Sequence, residues 1–235
     1  MAHREVLFLL SSHADLMDTD TKTGIWLGEL TDPYYAFKNA GYTITLASPK
    51  GGTPPIDPLS KLTENVAPSN KRFLKDEDAQ RAFAGTLTLK DIQPNKYDTV
   101  FVPGGHGPLW DLADHAIVGH ILTHFVNESK IIGAVCHGPA ALLAIEQSSF
   151  GFLRGRKVTG FTNLEENLVF RANNIPYFLE TRLKEHGADF SAAKVPFMSH
   201  VVADENIVTG QNPLSSLATA DKVIELVQKH YVSVL

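Results

Sequence analysis

One cysteine, Cys136, stands in the whole chain, so an intramolecular disulfide framework is excluded and a reducing, intracellular setting is expected. Long apolar runs are missing too. The first, Val6 to Leu10, is too short for a signal-peptide core, and nothing approaches the ~20 residues of a membrane span. Positive charge is scarce: 21 Lys and Arg face 26 Asp and Glu, for a formal net charge of −5. With no basic run to offset it, that balance argues against nucleic acid as the main partner. Also absent are the G-x-G-x-x-G spacing and the Lys-Ser/Thr pair of a phosphate loop, so the glycine cluster at 104–107 is not one. The expectation is a soluble, cytoplasmic protein without a nucleic-acid or membrane partner.

What is present is ordinary core material, 43% hydrophobic and 20% charged residues, enough for a substantial core. Val6–Leu10, Tyr42–Ala47, Thr99–Val102, Ile131–Val135 and Lys157–Gly160 read as short buried strands. Helices are expected from Asp32-Pro33 to Gly41, over Asp76–Ala84, His115–Asn127, Ala140–Ile145, Asn163–Arg171 and Pro176–His186, and from Pro213 to His230. Val201–Ala203 and Ile207–Thr209 flank a hairpin turn. The Pro- and Gly-rich stretch Ser48–Ser60 reads as an ordered excursion, because the α/β pattern resumes after it. Strands alternating with helices imply one unit over residues 1–235, an α/β, doubly wound, flavodoxin-like and mostly parallel sheet with helices on both faces.

In such a sheet ligands sit beyond the carboxyl ends of the strands. Three features fall there: the segment with Glu29, the turn Gly104-Gly105-His106-Gly107, and Cys136 between a strand and a helix. A lone cysteine is more often a buried structural thiol. The strand-end position, the adjoining His137 and the Gly138-Pro139 turn favour a nucleophile instead, as at the nucleophile elbow of hydrolases. The following helix N-terminus is expected to favour the thiolate. His137 would act as base and needs an orienting carboxylate, for which Glu165 and Glu166 are the candidates. The glycines of the 104–107 turn either make a plain tight turn or let backbone N–H groups approach an oxyanion closely. Glu29, in an apolar setting, would have a raised pKa and could shuttle protons, although taken alone a Glu before a helix is a dipole-compensating surface residue. His115, His120 and His124 have no carboxylate or thiolate at ligand spacing, so no metal is expected there.

These motifs together (Ala134-Val135-Cys136-His137-Gly138-Pro139; Gly104-Gly105-His106-Gly107; Lys22-Thr23-Gly24 with Glu29; Val158-Thr159-Gly160-Phe161-Thr162 with Glu166) resemble the ThiJ/PfpI superfamily over nearly the whole chain. Within it the chain is similar to the glutathione-independent glyoxalase branch. The resemblance implies Cys136 as nucleophile, His137 as its partner, Glu166 as third member and Glu29 as the acid touching the thiol. It implies Gly104, Gly105 and His106 at the substrate, with an oxyanion held by the N–H groups of Gly105 and His137. It departs at Asn163, where relatives often carry Asp, and at Glu165, where they carry a small residue. The implied reaction converts methylglyoxal and related 2-oxoaldehydes to 2-hydroxy acids, D-lactate among them, with no cofactor and no metal, in a homodimer. A holdase chaperone and a cysteine peptidase or amidase are the competing readings.

Overall fold

A computed structural model of the chain describes residues 4–63 and 68–233. Its elements in order are β1 (Arg4–Leu9), α1 (Leu27–Asn39), β2 (Tyr42–Ser48), α2 (Pro68–Lys75), α3 (Glu77–Ala84), β3 (Leu87–Thr88) and β4 (Thr99–Val102). Then come α4 (Pro108–Asp111), α5 (Ala116–Asn127), β5 (Ile131–Val135), α6 (Leu143–Glu146), β6 (Lys157–Val158), α7 (Asn163–Leu168) and α8 (Leu179–Glu185). The chain ends in β7 (Asp189–Phe190), β8 (Val201–Asp204), β9 (Ile207–Gly210) and α9 (Ser216–Ser233).

Seven strands form one sheet in the order β3-β2-β1-β4-β5-β9-β8, and β6 pairs with β7 beside it. All pairings in the large sheet are parallel except the β8–β9 hairpin. Successive side chains of a strand point to opposite faces, and that parity sorts the core. Val6, Phe8 and Leu10 enter one apolar cluster, with residues of α1, α2, α3 and α9. Leu7 and Leu9 enter the other, with residues of α4, α5 and α6. Phe101 takes the first side and Val100 and Val102 the second. With both faces covered, the strands must be apolar throughout, which is why they read as unbroken runs. The sheet is the flavodoxin-like, doubly wound α/β arrangement anticipated from the sequence.

The chain winds outward from β1 to β2 and β3, then returns to β4 on the other side of β1. That reversal opens a crevice at the carboxyl ends of β1 and β4. No helix among the described residues is long and apolar enough to cross a membrane.

Several boundaries differ from expectation. The first helix begins at Leu27, not Asp32, and Pro33 lies inside it. The segment 140–145 is a 3-10 turn, Gly138–Leu142, continued by the four residues of α6. The helix expected over 163–171 stops at Leu168, which frees Arg171 to turn inward. The elements α2, β3 and β7 were not expected; β3 and β7, at two residues each, are too short to show any periodicity.

Candidate active site

Cys136 follows the last residue of β5 with φ +61°, a conformation that costs a non-glycine residue about 1–3 kcal/mol. Its own backbone is pinned on both sides: the N–H donates to Gly210 O at 2.9 Å, and the carbonyl accepts from Phe161 N at 2.9 Å. This sharp turn lifts the sulfur out of the strand register toward the crevice.

Glycine is required beside it. A Cβ on Gly104 would come within 2.6 Å of Glu29 Oε2 and 2.8 Å of Cys136 Cβ. Gly105, at φ +86°, would collide with the backbone of Gly24 and Trp26. The bare backbone lets the Gly104 N–H donate to Glu29 Oε2 at 2.9 Å, while the Gly105 N–H serves both the Glu29 carboxyl and the sulfur.

Glu29 sits in the first turn of α1, fully buried. The earlier helix start brings it here, because the chain after β1 must turn back over the crevice before Asp32. Burial pushes the Glu29 carboxyl up to about 8, against the lowering influence of Cys136 and the two glycine N–H groups. Burial likewise pushes the Cys136 thiol well above its ordinary value, and the Glu29 carboxyl beside it pushes in the same direction. The expectation of a preformed thiolate is therefore corrected. Only a short 3-10 turn follows the cysteine, and its dipole is outweighed by desolvation. At neutral pH the pair rests as a thiol beside a carboxylic acid.

His137, fully buried, points Nδ1 at the sulfur at 3.3 Å. Its Nε2 meets Glu166 Oε2 at 2.7 Å, and His106 Nε2 meets Glu166 Oε1 at 2.7 Å. Burial opposes ionisation of Glu166, but His137 and His106 outweigh it and hold the carboxyl well below the usual range. An ionised carboxylate can only accept, so each imidazole must give it the Nε2 proton. When His137 is neutral, Nδ1 is then left with a lone pair aimed at the thiol. Burial, with His137 alongside, lowers His106 to about 4, so at neutral pH it is an uncharged ring.

The other nitrogen of His106 accepts from Arg171 Nη1 at 3.1 Å. Arg171 is paired with buried Asp57 at 2.6 Å, and Asp57 also takes the Thr23 hydroxyl at 3.0 Å. Glu165 has a different task. It closes a capping box with Thr162 at the start of α7 and accepts from Phe197 N, Gln211 Nε2 and Asn212 Nδ2. Asn163 bonds Thr181 instead of any group near the sulfur.

The structure thus brings together Cys136, His137, Glu29, Glu166, Gly104, Gly105 and His106, and of the two candidate carboxylates it places Glu166, not Glu165, on His137. Arg171 and Asp57 were missed, as were the walls of the cavity above the sulfur. That cavity, about 170 Å³, is bounded by Trp26, Leu59, Phe161, Val169, Phe197 and Pro213, with the polar groups at its base. A larger open groove of about 660 Å³ lies at the amino ends of β5 and β9, around Arg156 and Lys229, far from this convergence. Among the described residues, only His106, His137 and Glu166 gather as a potential metal-ligand trio. Both Nε2 atoms are occupied in donating to Glu166, so the trio is built as a hydrogen-bond network.

Residues 23–226 match the DJ-1/PfpI family. The chain belongs to that family. Glyoxalase 3 of Candida albicans is 30% identical over 94% of this chain and 97% of its own length. The crystal structure of glyoxalase III from the same organism superposes with a TM-score of 0.83 at 29% identity, covering 94% of this chain and 96% of that one. Rapid Encystment Protein 24 KDa of Francisella tularensis gives a TM-score of 0.90 at 34% identity, over 95% and 99% of the two chains. The ThiJ/PfpI resemblance drawn from the motifs is the same family under another name.

Proposed function

We propose that this DJ-1/PfpI protein is a glutathione-independent glyoxalase, converting methylglyoxal and related 2-oxoaldehydes to 2-hydroxy acids such as D-lactate. The observation that carries the reading is the contact of one thiol with both an imidazole and a carboxylic acid at the floor of a small apolar-walled cavity. Names of relatives 30% and 28% identical to this chain, Glyoxalase 3 and the Saccharomyces cerevisiae glutathione-independent glyoxalase, point the same way. A cavity of this size takes a molecule of a few heavy atoms.

The chemistry follows from the protonation states. His137 Nδ1 takes the thiol proton as Cys136 sulfur attacks the aldehyde carbon, and Glu29 gives its proton to the aldehyde oxygen, supported by the Gly105 N–H. The product is a hemithioacetal. Glu29, now a carboxylate, removes the hydrogen from C1, and protonated His137 supplies the C2 oxygen as the enediol forms. Glu29 returns its proton to C2, His137 takes the C1 hydroxyl proton, and a thioester of the 2-hydroxy acid results. That proton passes by way of water from His137 to the Glu29 carboxylate and restores the acid; neutral His137 then deprotonates the attacking water, the C1–S bond breaks, and the departing thiolate takes the proton back from His137 as the 2-hydroxy acid leaves. Atoms balance with water as the one added reactant. The same reading takes residues 1–235 as one cytoplasmic unit that assembles as a homodimer.

The test is turnover of methylglyoxal without glutathione by the wild type, Cys136→Ser and Glu29→Gln. Cys136-dependent formation of lactate is the expected result. Undiminished turnover by Cys136→Ser would end the proposal.

A further inference from the structure

The nitrogens of His106 are both committed inside the protein: Nδ1 accepts from Arg171, and Nε2 donates to Glu166. Arg171 cannot be deprotonated and has no acceptor, so its contact permits only the tautomer with the proton on Nε2. Asp57 fixes the guanidinium by two contacts, at 2.6 and 3.3 Å. The ring lies against His137 with centroids 4.1 Å apart and the planes tilted by 36°. A histidine wired in this way has no free lone pair or proton to offer a substrate, although it borders the cavity.

We propose that His106 is a positioning residue, a tautomer-locked bridge by which the Asp57–Arg171 pair holds Glu166 and so aims His137 Nδ1 at the sulfur. The inference builds on the glyoxalase reading but concerns the thiol itself. Locking matters because Glu166 has two oxygens and two imidazoles to orient. With His106 fixed as donor to Oε1, Oε2 is left to His137. Were His106 to present Nδ1–H instead, its bare Nε2 would face the carboxylate, and the fork would open. The charged and titratable groups around the bridge are Arg171 and Asp57 on one side, Glu166 and His137 on the other, with Cys136, Glu29 and Glu165 beyond them.

A carboxamide can make the same two contacts, its oxygen accepting from Arg171 and its N–H donating to Glu166, without titrating or relaying a proton. The experiment compares His106→Gln, His106→Leu and Arg171→Met with the wild type. Readouts are kcat and KM for methylglyoxal, and the pH dependence of Cys136 alkylation by iodoacetamide. His106→Gln is expected to keep kcat within about threefold and the wild-type alkylation profile. His106→Leu and Arg171→Met should lose about tenfold or more in kcat, with KM little changed, as orienting a general base requires. Where His106→Leu fails to fold, His106→Gln still decides. A Gln variant as impaired as Leu would overturn the bridge, because the imidazole itself would then be moving protons. Raised KM with unchanged kcat in Arg171→Met would also overturn it, making Arg171 a substrate-binding group. If the wild type turns over no 2-oxoaldehyde, the glyoxalase reading fails alone. The alkylation profiles then still test the bridge: they are expected to match between wild type and His106→Gln and to differ in His106→Leu.

Discussion

The side chains of Glu165 and Glu166, adjacent in the chain, hold disjoint sets of partners. Glu166 gathers the Nε2 atoms of His106 and His137, whereas Glu165 gathers Thr162, Phe197, Gln211 and Asn212. One carboxylate holds the two imidazoles beside the thiol, and the other ties down the loop that carries Phe197 over the cavity. Glu166→Gln should therefore lower kcat about 10- to 100-fold with a small change in Tm, since only the base is misaligned. Glu165→Ala should do the reverse, losing roughly 3 kcal/mol of stability because several buried donors are left unpaired. Paired melting curves and steady-state rates on the two variants check this. Equal effects on both quantities would contradict the division.

The resting thiol sets a second expectation. Burial and the Glu29 carboxyl hold Cys136 protonated at neutral pH, so iodoacetamide should modify it slowly at pH 7 and faster as the pH rises. Glu29 must start protonated to assist the attack, so kcat/KM should fall on the alkaline side with a midpoint near about 8. Rapid alkylation that is flat below pH 7 would instead reveal a preformed thiolate.

Stability should carry the same signature with a definite sign. Glu29 titrates at about 8 in the folded protein, but near ~4.3 when unfolded. Across that window the folded state binds more protons, so stability falls as pH rises. Glu29→Gln removes this dependence and should be more stable than the wild type at pH 9 by a few kcal/mol at most, at ~1.4 kcal/mol per pH unit. His106 acts oppositely. Its folded value of about 4 lies below the ordinary histidine range, so its contribution is lost as pH falls from the unfolded value toward 4. Urea titrations of wild type and Glu29→Gln at pH 5 and pH 9 separate the two. A gap between them no larger at pH 9 than at pH 5 would contradict the buried, protonated Glu29.

Much of this architecture was legible in the sequence because burial on both faces writes itself as unbroken apolar strands. Cys136 was legible for a local reason: a strand, a cysteine and a Gly-Pro turn permit few geometries. The start of α1 was not. Pro33 reads as a first-turn proline, yet the tertiary demand to place Glu29 under Gly104 extends the helix ahead of it. The protonation of Cys136 was misread because desolvation and the distant Glu29 decide it, and neither appears in the local pattern. Arg171 and Asp57 were invisible for a related reason. Their ion pair joins positions 114 residues apart, through a loop whose Pro and Gly content announces turns but not destinations.

The most direct measurement is product analysis after incubating purified protein with methylglyoxal and no glutathione, using an enantiomer-specific assay for lactate. The account predicts steady accumulation of D-lactate by the wild type and a loss of about a thousandfold or more in both Cys136→Ser and Glu29→Gln. Lactate formed at the wild-type rate by Cys136→Ser, or none formed by the wild type, would contradict it.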